Sequence, residues 1–241
     1  MMNIKDGLKK TLRIGLRIML YAGALFFISS LFYTLYLKWF PPFTTPLMVI
    51  RALETRSDNS ERPPIRCVWA RFDDISDNAK VAIIAEEDQN FANHDGFDYE
   101  AIQKAMKHNS HSKKVRGAST ISQQVAKNIF LWNGRSWLRK GFEVYFTFLI
   151  EHVWGKERIL QMYLNVAEMG DGIFGVEAAS QKYFHKSAAN ISFAEGAMIA
   201  TVLPNPRLYK ADKPSPYILR RQERVEKAMR KIGGADYLDN L

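Results

Sequence analysis

The chain has 241 residues, 47% of them apolar, which is enough for one medium-sized domain plus an appendage and argues against global disorder. Of the net charge of +9, +5 belongs to residues 1–40 and only +4 to the remainder; this fits anionic lipid or phosphate and excludes the dense basic stripe of a nucleic-acid partner. The single cysteine, Cys67, excludes an intrachain disulfide, and the five histidines show no zinc-ligand spacing.

In chain order, the first element is the uncharged run Ile18–Leu37, IMLYAGALFFISSLFYTLYL. Twenty helical residues at about 1.5 Å each span a hydrocarbon layer of about 30 Å. Tyr21, Tyr33, Tyr36 and Trp39 lie toward its ends, where amphipathic rings favour the interface. Lys5, Lys9, Lys10, Arg13 and Arg17 precede it and Lys38 alone follows closely, so the positive-inside bias predicts a cytoplasmic N-terminus. A cleaved signal peptide would carry a shorter apolar core, about 7–15 residues, ending at a small-residue site. This run ends in Leu35-Tyr36-Leu37-Lys38-Trp39-Phe40, so a retained anchor is expected. The expected divisions are a basic tail at 1–17, a spanning helix at 18–39, a membrane-proximal linker at 40–66 and a mostly α domain beyond it.

Pro41, Pro42 and Pro46 stop the first helix, and residues 54–66 are polar and Pro-containing, as in a loop. From Ser76 onward helical signals dominate. Thr120 with Gln123, and Ser192 with Glu195, make capping-box patterns. Ser215-Pro216 opens a last helix that Gly233-Gly234 closes. Strand-like alternation is scarce.

Two stretches carry chemistry. In AIIAEEDQNFANHDGFD, residues 82–98, Ile83 and Ile84 sit one turn before Glu87, placing Glu87 on or beside a buried helix face. Glu86, Glu87 and Asp88 are three successive acids near a helix C-terminus, where negative charge is unfavourable. A carboxylate beside apolar surface and like charge has a raised pKa, which suits a general base; a solvated acidic helix end fits the same segment. His94 reads as a hydrogen-bonding residue, not a metal ligand. In RGASTISQQVAKN, residues 116–128, Ser119 and Thr120 open a helix whose N–H groups and hydroxyls are candidates for an anion. Gln123 and Lys127, with Gln124 and Asn128 one position on, form a polar strip ending in a cation. Without its family context this stretch reads equally as a capped surface helix.

In this order the two stretches resemble the peptidoglycan glycosyltransferases of glycosyltransferase family 51. The first family motif is matched by Glu87, Asp88, Phe91, His94 and Gly96, and the second by Gly117 to Asn128. A third is matched by Arg139, Lys140 and Glu143, and a fourth by Lys156, Ile159, Leu160, Tyr163, Leu164 and Asn165. A fifth is matched by Gly175, Ala178, Ala179, Tyr183 and Phe184. The likeness covers about residues 65–210 and is closer to the monofunctional members. One departure is Gln161, where many relatives carry Glu. The resemblance implies a lysozyme-like, mostly α domain at 67–241 and a jaw-like character for 40–66.

Read from spacing alone, Arg139 and Lys140 with Glu143 are helical ion pairs whose surface version is worth under about 1 kcal/mol. Phe142, Phe146 and Leu149 on the opposite side would pack or touch lipid. Ile159, Tyr163 and Val166 form a core stripe, and Lys156 is ambiguous. Gly170, Gly172 and Gly175 suggest a loop with unusual backbone angles or one closely approached by substrate.

The resemblance implies that lipid II extends a glycan held on undecaprenyl pyrophosphate, with the catalytic domain outside the inner membrane. A pyrophosphate leaves as a stabilised anion and needs cations, while the acceptor hydroxyl needs a base. By the resemblance Glu87 is that base, and Lys127, Arg139 and Lys140 face the pyrophosphate. Glu143 is the second catalytic candidate, orienting cations or helping to hold a divalent ion (Mg or Mn), with no obligatory cofactor. Asp88, Phe91, His94, Ser119, Thr120, Gln123, Gln124, Asn128 and Lys156 complete the expected substrate-binding set. Membrane lipids are expected contacts, and partners among division or elongation cell-wall proteins stay open.

The rivals are a lytic, lysozyme-like hydrolase, which would not need the basic strip, and a non-catalytic membrane-anchored scaffold. Ser110–Lys113 matches a penicillin-binding S-x-x-K, and S-D-N occurs at 57–59 and 76–78. Both S-D-N copies precede it and no K-T-G follows, so these are coincidences.

Overall fold

The computed structural model describes residues 4–57, 64–112, 117–134 and 136–241, in two compact units, 1–40 and 41–241. The first is a single helix, α1 (Ile4–Trp39), in which Thr11–Trp39 is long and apolar enough to cross a membrane. Ser29, Ser30 and Thr34 donate their hydroxyls to carbonyls three or four residues back, which satisfies these polar groups within an apolar helix. Helix α1 runs without interruption from the basic flank into the apolar run. The basic flank contains no helix breaker before Pro41, so one helix runs through it.

The second unit begins with α2 (Pro46–Ser57), and Thr45 caps it by accepting the Met48 N–H at 3.3 Å. The linker expected at 54–66 therefore starts inside a helix. It ends in strand β1 (Arg66–Cys67), while residues 58–63 lie outside the described residues. The Arg51 guanidinium fixes α2 to the sheet through Glu168, with nitrogens 3.1 and 3.0 Å from the carboxylate.

The chain then forms α3 (Asp77–Glu87), α4 (Tyr99–His111), α5 (Ile121–Phe130), α6 (Trp137–Val153) and α7 (Lys156–Val166). Strands β2 (Glu168–Gly170) and β3 (Ile173–Phe174) make an antiparallel pair, and β1 joins β3 in parallel, giving the order β1-β3-β2. Helices α8 (Val176–Phe184), α9 (Phe193–Val202) and α10 (Pro216–Lys231) follow, and a 3-10 segment, Gly234–Asn240, ends the chain. The mostly α expectation holds, with this small sheet added.

Local signals explain the helix ends. Both capping boxes form, Thr120 with Gln123 on α5 and Ser192 with Glu195 on α9. Ser215 caps α10 with Pro216 in its first turn. Helix α3 lies between α9, α10 and the 3-10 segment, so Ala79 to Ala85 are all buried whichever way they point. Helix α5 packs between α6 and α7, where Ile159, Tyr163 and Val166 form the expected core stripe. Phe146 is buried and stacks on Phe130 at 4.3 Å. The Asn165 side chain accepts from the Ala70 N–H at 2.7 Å and donates to the Ala70 carbonyl at 3.0 Å, tying α7 to the segment after β1.

The glycine-rich loop has the unusual backbone angles expected of it, with φ of +70° at Gly172 and +83° at Gly175. A Cβ on Gly170 would lie 2.1 Å from the Tyr183 hydroxyl, so what approaches this backbone is a neighbouring side chain of the fold.

Candidate active site

The last turn of α3 places Glu87 at the edge of a cleft of about 430 Å³, with Gly117 to Thr120 and the start of α4 on its other sides. The capping box fixes how α5 begins, and α5 brings Gln124 to the base. The Gln124 amide donates to Glu87 Oε2 at 2.6 Å, and the buried Tyr163 hydroxyl donates to the carbonyl end of the same amide at 3.3 Å. This fixes the orientation of the amide, so Glu87 receives an N–H. Burial pushes the Glu87 carboxyl above its ordinary range; the Gln124 bond, Lys127 and Arg221 pull it back, and Asp88 adds to the rise.

One helical turn beyond Gln124 stands Lys127. Burial pushes its ammonium below the usual range, with Glu143 and Glu87 opposing and Arg139 and Lys140 reinforcing the fall. Lys127 therefore stands in the fields of both the base and the third motif. Among the described residues its ammonium has no hydrogen bond or ion pair, whereas Arg139 and Lys140 both close on Glu143. Arg139 Nη1 lies 2.6 Å from Glu143 Oε2, and its Nε donates to the Gly134 carbonyl at 2.8 Å. Glu143 is only 3% exposed, so the surface-pair reading of this motif fails: the helix turns the carboxylate inward. Both its oxygens are taken by cations, and no three His, Cys, Asp or Glu side chains converge among the described residues. Glu143 thus holds Arg139 and Lys140 together on one face of α6.

Several expected substrate contacts are bonded within the fold, Asp88 and Thr120 at the cleft wall and the others outside its lining. The Asp88 side chain is 3% exposed and is saturated by the fold. Its carboxylate accepts from the Ile121 N–H at 3.0 Å, and His94 Nε2 lies 3.0 Å from each oxygen. Because the Gly96 N–H donates to His94 Nδ1 at 3.1 Å, the ring proton sits on Nε2 and is donated to Asp88. At the α5 N-terminus the Ile121 N–H is thus taken by an internal carboxylate, while Ser119 stays open on the cleft wall. Thr120 donates its hydroxyl to the Gly96 carbonyl at 2.7 Å and accepts from Gln123, whose own side chain returns the bond to the Thr120 N–H at 3.1 Å. Gly96 has φ +87°, and a Cβ there would lie 2.7 Å from Thr147 Cγ2.

Lys156 is half-buried in the same layer. Its ammonium donates to the His94 carbonyl, pairs with Glu151 at 2.9 Å and lies 4.8 Å from the Phe91 ring centroid. Phe91 and Asn128 are buried. Asp88, Phe91, His94, Thr120, Gln123, Asn128 and Lys156 are thus all engaged within the fold, Asp88 and Thr120 at the cleft wall. Ser119 stays exposed on the cleft wall, and Gln124, Lys127, Arg139 and Lys140 stay partly exposed. Gln161 accepts from Arg158, a local partner that gives it no place in the cleft.

Sequence reasoning missed three participants. Glu151 accepts from Ser122 and pairs with Lys156, and Tyr163 steers Gln124. Arg221 of α10 pairs with Glu86. A signal for Arg221 was present: it lies three residues after Ile218 and four before Val225, on the buried stripe of an amphipathic helix. Among the coincidental motifs, Ser76 is the α3 cap and Ser110 bonds within α4, while Lys113 and residues 58–59 lie outside the described residues, as does Arg116 of the second motif.

A family model described as Transglycosylase matches residues 58–230. The chain is 50% identical over 216 residues to the biosynthetic peptidoglycan transglycosylase of Pseudomonas fluorescens Pf-5, covering 90% of each chain. It is 48% identical over 230 residues to that of Pseudomonas syringae pv. tomato, covering 95% of this chain and 97% of the relative. It is 46% identical over 225 residues to that of Bacteroides thetaiotaomicron, covering 93% and 89%. With this breadth of likeness, the chain belongs to the transglycosylase family, with its mostly α, lysozyme-like fold and its glycosyltransferase activity.

Proposed function

We propose that this enzyme polymerises peptidoglycan glycan chains from lipid II at the outer face of the cytoplasmic membrane. The observation that carries the reading is the placement of Lys127 on α5 one turn beyond Gln124, which holds Glu87. Glu87 is a burial-raised carboxylate held by a single neutral donor, and Lys127 is an ammonium with no ion pair among the described residues. Glu87 takes the proton from the 4-hydroxyl of lipid II as that oxygen attacks the anomeric carbon of the growing chain. The bond from that carbon to the pyrophosphate oxygen breaks, and undecaprenyl pyrophosphate leaves as an anion. Attack opposite the leaving group inverts the α-linked donor to a β-1,4 linkage. Negative charge grows at the pyrophosphate in the transition state, where fixed cations act most strongly. Lys127, with Arg139 and Lys140 held by Glu143, supplies them.

Two further features support a lipid-linked substrate. Trp137 is 92% exposed and Leu138 is exposed beside it, immediately before Arg139 and Lys140. Apolar side chains next to cations suit a polyprenyl pyrophosphate. Helix α1 suits a single-pass anchor, oriented N-terminus inward by its basic flank.

The deciding experiment is incubation of the purified full chain with labelled lipid II, followed by sizing of the product. Long glycan with release of undecaprenyl pyrophosphate is expected. Shortening of preformed glycan with no use of lipid II would overturn the reading in favour of a hydrolase. A periplasm-only reporter fused after residue 241 should be active and one before residue 10 inactive; the reverse pattern overturns the topology.

A further inference from the structure

Helix α10 packs along α3, and one of its side chains reaches the catalytic turn. Arg221 forms an ion pair with Glu86. Its guanidinium lies 6.0 Å from the Tyr209 ring centroid, and its Nε–H is buried without an acceptor. Glu86 and Glu87 are consecutive, and both line the cleft. Their partners come from two different helices: Arg221 of α10 for Glu86, Gln124 of α5 for Glu87. Two adjacent carboxylates in a poorly hydrated site titrate as a pair, and the cation beside them decides which is ionised first.

We infer that Arg221 is a positioning residue for the base: by ion-pairing Glu86 from α10 while Gln124 holds Glu87 from α5, it separates two adjacent carboxylates and leaves Glu87 as the ionised acceptor over the cleft. This rests on Glu87 being the base. Burial raises the pKa of both carboxyls, and Arg221 opposes the rise in both. The surrounding charges are distributed over every packed element. Asp88 belongs to α3, Lys127 to α5 and Tyr163 to α7, and Arg224 joins Arg221 on α10. Tyr237 of the C-terminal segment faces Asp88, and Asp98, Glu100 and Lys104 line the cleft at α4. Lys127 and Arg221 are the cations that pull Glu87 down, and Lys127 is assigned to the leaving group. Arg221 is then the one free of that duty, and its unsatisfied Nε–H means that this placement leaves a buried donor unmet.

The test is the pH dependence of kcat/KM for the full chain in detergent with labelled lipid II. A base is inactive when protonated, so a rise in its pKa moves the acidic limb to higher pH. Arg221→Gln is expected to move that limb upward while leaving the alkaline plateau largely intact, and Arg221→Lys to keep the limb near wild type. Glu86→Gln, which leaves the guanidinium in place, is expected to move the limb downward. In the double variant, cation and competing carboxylate vanish together, and the limb is expected to return toward wild type. An unmoved limb in Glu86→Gln or in a folded Arg221→Gln overturns the inference. So does a plateau loss that Glu86→Gln does not relieve, which is the signature of a merely structural role. Should Glu87→Gln itself turn over like wild type, it is the base assignment that fails.

Discussion

The front and the back of the site are built from the same short motifs, yet their electrostatics are opposite. At the back, Asp88, His94, Thr120, Lys156 and Glu151 all have partners, and the network ties the α3 end to α5 and α7. At the front, Glu87 and Lys127 are both shifted toward their neutral forms by burial, and neither has an ion pair among the described residues. The comparison teaches that a family motif is two layers thick. On the proposed function, its satisfied residues hold the frame, and its unsatisfied residues retain the free energy that a transition state can use.

If that division is right, front substitutions cost rate and back substitutions cost stability. The largest effect is expected for Glu87→Gln. Glutamine keeps shape and cannot accept the proton, so polymerisation of labelled lipid II should fall by about 10²–10⁴-fold. Glu86→Gln should be far milder at neutral pH. Were the two to exchange places, the front would have been assigned to the wrong carboxylate.

Next in size is a break at the back. Lys156→Met removes the ammonium and leaves Glu151 buried with only Ser122, which should cost about 3–5 kcal/mol of unfolding free energy in a denaturant titration. Unchanged stability with impaired lipid II binding would return Lys156 to the substrate surface.

Lys127→Ala should lower polymerisation by about 10²-fold, which is about 2.7 kcal/mol of transition-state stabilisation. Its melting curve should stay near wild type, because no ion pair among the described residues is lost. Near-normal turnover would mean that Arg139 and Lys140 suffice for the leaving group.

The smallest effect is thermodynamic. Burial raises the folded-state pKa of Glu87, so the native state holds its proton to higher pH than the unfolded state does. Stability contributed by this group therefore falls as pH rises from the unfolded to the folded pKa, and a cost remains above that. Glu87→Gln should consequently melt higher than wild type at neutral pH, and the gap should close as the pH drops below the ordinary glutamate range. Equal melting temperatures at both ends would show that the carboxylate carries no such cost.

Much of the fold was legible because it is encoded locally. The Thr120–Gln123 and Ser192–Glu195 boxes and Ser215-Pro216 mark helix starts by chemistry that spans three residues. The positions of the motif residues were legible for the same reason. Which of them face the cleft was not, because that depends on partners far away in sequence. Asp88 and Ile121 are separated by 33 residues, and Glu86 and Arg221 by 135. Helix α2 was missed because its apolar stripe is short and runs directly into polar residues that read as a loop. Glu143 read as a surface pair because i,i+4 spacing fixes a shared helix face and says nothing about whether that face is covered.

Helix α5 carries Gln124 against the base and Lys127 against the basic cluster, on one side of a single rigid rod. Three residues of rise put these contacts about 4.5 Å apart along the axis. The rod therefore works as a gauge that sets how far the point of proton removal lies from the point of charge release. Single-residue insertion between Gln124 and Lys127 would rotate one contact about 100° from the other while sparing every functional group. Such an enzyme would keep all its chemistry and lose its timing.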